Sequence, residues 1–266
     1  MKTPVHFVHS YFRQPTNPVT VNLIGAGGTG SHLLPALGGI HADLLAMDHP
    51  GLQVTVFDDD IVTPFNIGRQ GFSAAEIGLP KAVAILSRTN RFYGTGWQAV
   101  GVRWSRENRE LLQPNLAANL TISCVDTAAA RFAIADLLST AHPAGHGPHA
   151  PLYWIDFGNS RHTGQVLLST LQKIKQPASK RFSGAGELPM VTEEFKELLE
   201  QITDDEEPSC SLAAARQKQD LFINRTLAQL GGRLINSLFG QPMLESRGFF
   251  LNLAEFICHP LRITLK

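Results

Sequence analysis

The stretch that most limits what this chain can fold into is "VTVNLIGAGGTGSHLLPALGGI", Val19 to Ile40. A β-branched, largely apolar run passes through closely spaced glycines into residues of helical spacing, the pattern of a strand, a tight turn and a helix. Gly25, Gly27, Gly28 and Gly30 fill the turn and contain G-x-G-x-x-G. Glycines in that position let the backbone approach a phosphate, which amides at the helix N-terminus then hold. Taken alone, the pattern admits NAD, FAD, S-adenosylmethionine, ATP, or a tight turn with no ligand.

The alternation continues. Strands are expected at Gln53 to Asp58, Trp97 to Arg103, Leu120 to Val125, Leu152 to Phe157 and Thr163 to Thr170, with helices near Leu79 to Phe92 and Ala128 to Ala141. Such alternation implies an α/β, Rossmann-like, doubly wound and mainly parallel sheet, with ligands at the carboxyl ends of its strands. Gly25 to Gly30, Asp58 and Asp126 then lie along one edge. The end, "GFFLNLAEFICHPLRITL", predicts an antiparallel edge hairpin. Residues 1–266 form one domain: a nucleotide-binding core of about 19–170, a polar and finally acidic mobile segment over about 172–208, and a C-terminal helix and hairpin over 209–266. Ser209 or Ser211 is placed to cap that helix. Its Leu227, Leu230, Leu234 and Leu238 stripe reads as core, with a subunit interface as the alternative.

Composition narrows the function. Lys plus Arg and Asp plus Glu stand at 23 each, so net charge supplies no long-range attraction to nucleic acid or an anionic membrane. No apolar run reaches the roughly 18 residues of a membrane span and no signal-peptide pattern opens the chain, so a cytoplasmic protein is expected. Cys124, Cys210 and Cys258 are the only cysteines and none forms a Cys-x-x-Cys pair. That argues against a disulfide framework and against a four-cysteine zinc site. His142, His146 and His149 sit in a Pro/Gly loop that reads as solvated more readily than as a metal site.

The chemistry gathers in "VFDDDIVTPFNIGRQGF", Val56 to Phe72. Asp58 ends the second core strand, where a carboxylate can accept from both ribose hydroxyls of an adenosine. It stands farther from Gly30 than is usual, and "HADLLAMDHPGLQ" absorbs the excess as a lengthened helix end and loop. Three consecutive aspartates repel one another unless a cation comes near. Arg69 and Lys81 answer that need and suggest the ligand: a triphosphate with Mg²⁺ calls for more cations than a dinucleotide pyrophosphate. Asn66 offers a neutral amide for a phosphate oxygen. Asp126, after the fourth core strand, can reach a Mg²⁺ bridging the phosphates or can cap the following helix.

These residues resemble a family. Asp58, Asp60, Val62, Asn66, Arg69 and Gln70, followed by Gly78 and Lys81 in "IGLPKA", fit the acidic, arginine and lysine motifs of the ThiF/MoeB/HesA adenylyltransferases, the superfamily of ubiquitin-activating enzymes. "CVDTAAAR" is similar to the family's Cys-x-Asp-Asn segment, with Thr127 where Asn is common, and "PLYWIDFGNSRHTGQVLL" looks like the strand pair before the family's crossover loop. "PSCS" and "QDLFIN" more narrowly resemble ThiF-related proteins of PRTRC gene cassettes.

The resemblance implies ATP and Mg²⁺ as cofactors, without structural zinc. It implies a homodimer whose partner is a small ubiquitin-like or sulfur-carrier protein, adenylated on its C-terminal carboxylate. Gly25, Gly27, Gly28, Gly30, Asp58, Asp60, Asn66, Arg69, Gln70 and Lys81 would bind the nucleotide, Asp126 the metal, and Arg69, Lys81 and Asp126 would act in catalysis. Cys210, at the start of the long helix, is the candidate for thioester transfer, because unpaired amides there favour a thiolate while Asp204 to Glu207 oppose it. Open alternatives are a non-catalytic interaction module, adenylation of a small molecule or RNA, and an NAD-dependent oxidoreductase.

Overall fold

A computed structural model of the chain describes residues 2–140, 150–201 and 220–265. Strands β1 (Thr3–Phe7), β2 (Val19–Ile24), β3 (Leu52–Phe57), β4 (Gln98–Val100), β5 (Leu120–Ser123), β6 (Tyr153–Asn159), β7 (Thr163–Thr170), β8 (Phe182–Gly184), β9 (Met243–Leu244), β10 (Ser246–Asn252) and β11 (Ile257–Arg262) are joined by helices. These are α1 (Gly28–Ala46), α2 (Lys81–Tyr93), α3 (Arg109–Leu112), α4 (Ala128–Ser139), α5 (Val191–Glu194), α6 (Lys196–Gln201) and α7 (Ile223–Gly240). Among the described residues, no helix is long and apolar enough to cross a membrane.

The main sheet has the order β11-β10-β7-β6-β5-β2-β3-β4. Pairing is parallel from β6 to β4 and antiparallel through β7, β10 and β11. The expected doubly wound α/β sheet with an antiparallel C-terminal edge hairpin is therefore the fold of this chain. Val19, Val21 and Leu23 are buried because parallel strands lie between two covered faces. One polar row interrupts the apolar pattern. Asn22 lies between Thr55 and Thr121 in register, and its Nδ2 donates to the Asn115 carbonyl at 2.7 Å.

Helix α7 lies alongside α1. A Cβ on Gly28 would strike the Asn224 side chain, and one on Gly232 would touch Ala36, so the two helices run in the same direction. Leu227 and Leu238 are fully buried, with Ile223 and Ile235 completing the inner face. Leu230 is 37% exposed and turns outward. The leucine stripe is thus mostly core, which leaves little of it for pairing subunits.

The segment expected to be mobile is packed over its first part, 172–201. Strand β8 pairs parallel with β1, and β9 pairs with the same strand from the other side. Ile174, Ala185, Leu188, Val191 and Leu199 are all buried, widely spaced apolar anchors in a polar stretch. Arg247, 4% exposed, donates to the Leu168 and Pro189 carbonyls and pairs with Glu194. Residues 202–208 lie outside the described residues.

The small sheet is pinned to the large one by His6, which is fully buried. Its Nδ1–H donates to the Ala185 carbonyl at 2.7 Å, while Nε2 accepts from the Tyr153 hydroxyl at 2.8 Å. The Tyr153 hydroxyl in turn accepts from the His9 amide at 2.9 Å. Burial lowers the His6 pKa, the hydrogen bond to Ala185 opposing it. The unfolded chain therefore takes up a proton near the ordinary value of about 6.5 while the native ring does not, and stability falls as pH drops through that value. His6→Ala should cost about 2–4 kcal/mol at pH 8 and flatten this acid slope, read from urea midpoints at pH 8 and 5.5.

Candidate functional site

The chain order turns back at β2, with β3 and β4 on one side and β5 and β6 on the other. In open α/β sheets the carboxyl ends of the strands at such a reversal form a crevice. The turn after β2 and the loop after β5 meet there. Cys124 donates its amide to the Ile24 carbonyl at 2.8 Å, and a Cβ on Gly25 would stand 2.8 Å from the Cys124 carbonyl oxygen. Gly25 has φ +90°, a conformation that favours glycine. A Cβ on Gly30 would fall 1.9 Å from the Gly25 carbonyl oxygen. Gly25, Gly28 and Gly30 thus serve the close packing of the turn against β5, α7 and itself. Gly27, the N-cap of α1, faces open space.

The three aspartates take three different partners. Asp58 accepts from the Ala26 amide at 2.6 Å and from the Asp60 amide at 2.9 Å. Burial pushes its carboxyl above the usual range, opposed by these amides and by the Lys81 charge. Asp59 lies 3.4 Å from Arg103, and Asp60 lies 2.6 Å from Lys81 Nζ. Backbone pairing sets that last contact: Lys81 donates its amide to Asp60, Val62 to Leu79, and Gly78 to Val62. The Gly-x-Pro-Lys segment is therefore a partner to the acidic run, and it delivers a buried lysine at the first residue of α2.

The loop between them crosses the start of α1. Gly71 donates its amide to Ser31 Oγ at 2.8 Å, and the His32 ring hydrogen-bonds the Arg69 backbone. Asn66 is buried and spends its carboxamide oxygen on the Thr63 amide and hydroxyl, at 2.7 and 3.1 Å. That makes it a local cap rather than an open phosphate ligand. Gln70 is buried, and its Oε1 has no hydrogen-bond partner among the described residues. Arg69 is half-buried, and burial lowers its pKa against the raising effect of the nearby Asp126 charge.

Asp126 is exposed. The helix cap it was a candidate to supply comes from Thr127, whose hydroxyl accepts from the Ala130 amide at 3.2 Å. Among the described residues, no three His, Cys, Asp or Glu side chains gather at one point. A single carboxylate such as Asp126 suits Mg²⁺, which takes its other oxygens from phosphates and water.

Arg131 closes the "CVDTAAAR" segment, but the sequence assigned it no role. It is buried beneath this loop, paired with Asp156 at 3.0 Å and donating to the carbonyls of Val125, Thr127 and Phe157. Asp156 also accepts from Ser123 at 2.6 Å. Asn224 and Arg225 on α7 were missed too, because their helix is far off in sequence. Asn224 accepts from the Thr29 hydroxyl at 3.0 Å, and Arg225 Nε lies 3.5 Å from His32 Nε2.

Cys124 is half-buried, and desolvation of its thiol pushes its pKa well above the ordinary value. Cys258 is exposed, because it lies on β11, the outermost strand. Cys210, with Ser209 and Ser211, falls outside the described residues, as do His142, His146 and His149. A polar groove of about 370 Å³ opens along Thr20, Asn22, Gln53, Thr55 and Gln98. These positions precede the strand ends that carry the glycine turn.

A model of the ThiF family matches residues 5–227. The chain belongs to the ThiF family. Solved structures agree in fold. E. coli MccB is 14% identical with a TM-score of 0.57, over 93% of this chain and 63% of that one. MccB with ATP gives 14% and 0.55, over 92% and 63%. PaaA gives 16% and 0.57, over 92% and 73%. This chain thus spans less than two thirds of the MccB chains it matches. No curated protein sequence matches it.

Within the ThiF fold the Arg131–Asp156 pair sets the height of the Asp126 loop. Removing one member strands the other charge, which typically costs about 3–5 kcal/mol. Arg131→Met should lose that much in urea unfolding, and Arg131→Met with Asp156→Asn should recover part of it.

Proposed function

We propose that this ThiF-family chain uses ATP to adenylate a carboxylate, that of the C-terminus of a small ubiquitin-like or sulfur-carrier protein. The observation that carries the reading is the convergence at one strand reversal of an open helix N-terminus at Gly27, the Asp58 carboxylate, the buried Lys81, and Arg69 within the field of Asp126. MccB structures hold ATP, and one holds AMPCPP together with MccA. They support a nucleotide and a second ligand meeting on this fold. The narrower resemblance to the PRTRC-associated proteins and assembly as a homodimer belong to the same proposal.

A carboxylate oxygen of the partner attacks the α-phosphorus, the bond from that phosphorus to the bridging oxygen breaks, and pyrophosphate leaves with the electron pair. The chain's part is to hold the reactants in line and to place positive charge where the leaving group gains negative charge. Amides at the start of α1 and the Arg69 guanidinium would face the phosphates. Lys81 keeps donors besides the one given to Asp60, since an ammonium has three. Asp58 would orient the ribose with the lone pairs its backbone contacts leave over. Mg²⁺, held by Asp126, would neutralise phosphate oxygens.

ATP–pyrophosphate exchange should require Mg²⁺ and a carboxylate-bearing partner. Asp126→Ala and Arg69→Ala should each slow it by on the order of a hundredfold. Wild-type exchange rates in both variants would sink the mechanism.

We also propose Cys210 as the acceptor of the acyl group, its thiolate displacing AMP to give a thioester. Mixing protein, ATP and partner should give a thiol-sensitive adduct on a non-reducing gel, lost in Cys210→Ala and retained in Cys124→Ala and Cys258→Ala. Exchange without such an adduct would remove the cysteine step and leave adenylation standing.

A further inference from the structure

Helices α1 and α7 run side by side in the same direction, so both N-termini stand at the end of the sheet where the glycine turn lies. His32, on the second turn of α1, connects them. Arg225 donates through Nε to His32 Nε2 at 3.5 Å. A nitrogen that accepts carries no proton, so the ring is the neutral tautomer with its proton on Nδ1, and that proton goes to the Arg69 backbone. One imidazole thus positions two arginines of different elements: Arg69 through its main chain and Arg225 through its side chain. The ring is held neutral by burial first and by the Arg225 charge second, against the opposing bond to Arg69, with Arg88 adding to the lowering.

Arg225 is exposed, and its two terminal nitrogens have no hydrogen-bond partner among the described residues. Those nitrogens carry four of the five donors of a guanidinium, in the planar fork that matches phosphate oxygens. A solvated arginine would need no imidazole fixing its inner nitrogen. With Nε fixed, the fork loses less freedom on binding an anion than an untethered side chain would.

We propose that Arg225 is a further phosphate-binding residue of this site, a second guanidinium for the β- and γ-phosphates of the nucleotide, with His32 as its positioning residue. The inference rests on the reading of the site as an ATP site and adds a binding role for a helix that follows all the motifs carrying that reading. It also gives α7 a task besides packing. Asn224 fixes the height of the helix against Thr29, and the next residue presents the charge.

Equilibrium titration of the full chain with ATP, ADP and AMP in the presence of Mg²⁺ tests it. Arg225→Ala should weaken ATP by about ten- to a hundredfold, the range for losing a charge-assisted hydrogen bond, and leave AMP unchanged. Arg225→Lys should restore part of the loss. His32→Ala should weaken ATP binding several-fold more in the wild-type background than in the Arg225→Ala background, where only its hold on the Arg69 loop remains to be lost. Unchanged ATP affinity in Arg225→Ala, or an equal loss for ATP and AMP, overturns the inference and leaves the ATP reading in place. A wild-type chain that binds none of the three nucleotides overturns both.

Discussion

The Asp58 carboxylate is the contact on which the site depends. One oxygen takes the amide that follows Gly25 and the other takes the amide of Asp60, so a single side chain joins the turn after β2 to the loop after β3. Parallel strands leave their ends without hairpins to hold them together, and side chains must supply the cross-links. Its burial explains why the acidic run needs its cations near. Asp60 turned toward Lys81 and Asp59 toward Arg103 keep three successive carboxylates from sharing one space.

The spacing that places Asp58 so far from the glycines follows from α1. The helix continues to Ala46 and closes through Asp48 at φ 59° before β3 begins. The helix lies beside α7, and the contact requires small residues where the axes are close, Gly28 at its start and Ala36, opposite Gly232, midway along it. A helix contributed by the far C-terminal part of the chain is thereby part of the end of the sheet that carries the glycine turn. The site is consequently not separable from residues that follow the crossover segment.

Much of this was legible in the sequence. The core strands and helices were placed within a few residues, because apolar periodicity and glycine turns report directly on buried parallel strands and their exits. The hairpin was legible for the same reason. The small sheet was not, since β1, β8 and β9 are short and depend on His6 and Tyr153, partners 147 positions apart. The packing of 172–201 was hidden by its polar composition, which masks a few separated anchors such as Leu188 and Val191. Motif residues were legible as a set but not in their division of labour. Asn66 caps its own turn, and Thr127 rather than Asp126 caps α4. Three of the four turn glycines are explained by packing. Sequence spacing names the residues of a loop, whereas backbone hydrogen bonding decides which of them remain for a ligand.

The even balance of 23 acidic and 23 basic residues bears on how such a site can work. With no net charge to draw an anion from a distance, discrimination in favour of a polyphosphate has to come from short-range donors held in fixed directions. The structure favours fixed directions over number. Lys81 is set by a backbone ladder, the Arg69 loop by Ser31 and His32, and Arg225 by the same imidazole. Two of these cations also lie near a carboxylate that limits their field: Asp60 for Lys81 and Asp126 for Arg69. On the proposed reading, a phosphate chain would compete with those two carboxylates, and an anion with several oxygens would meet the donors together. On the same reading, selectivity for a triphosphate over a lone phosphate would be a property of geometry, fixed by the α1 and α7 helices and the loop that crosses them.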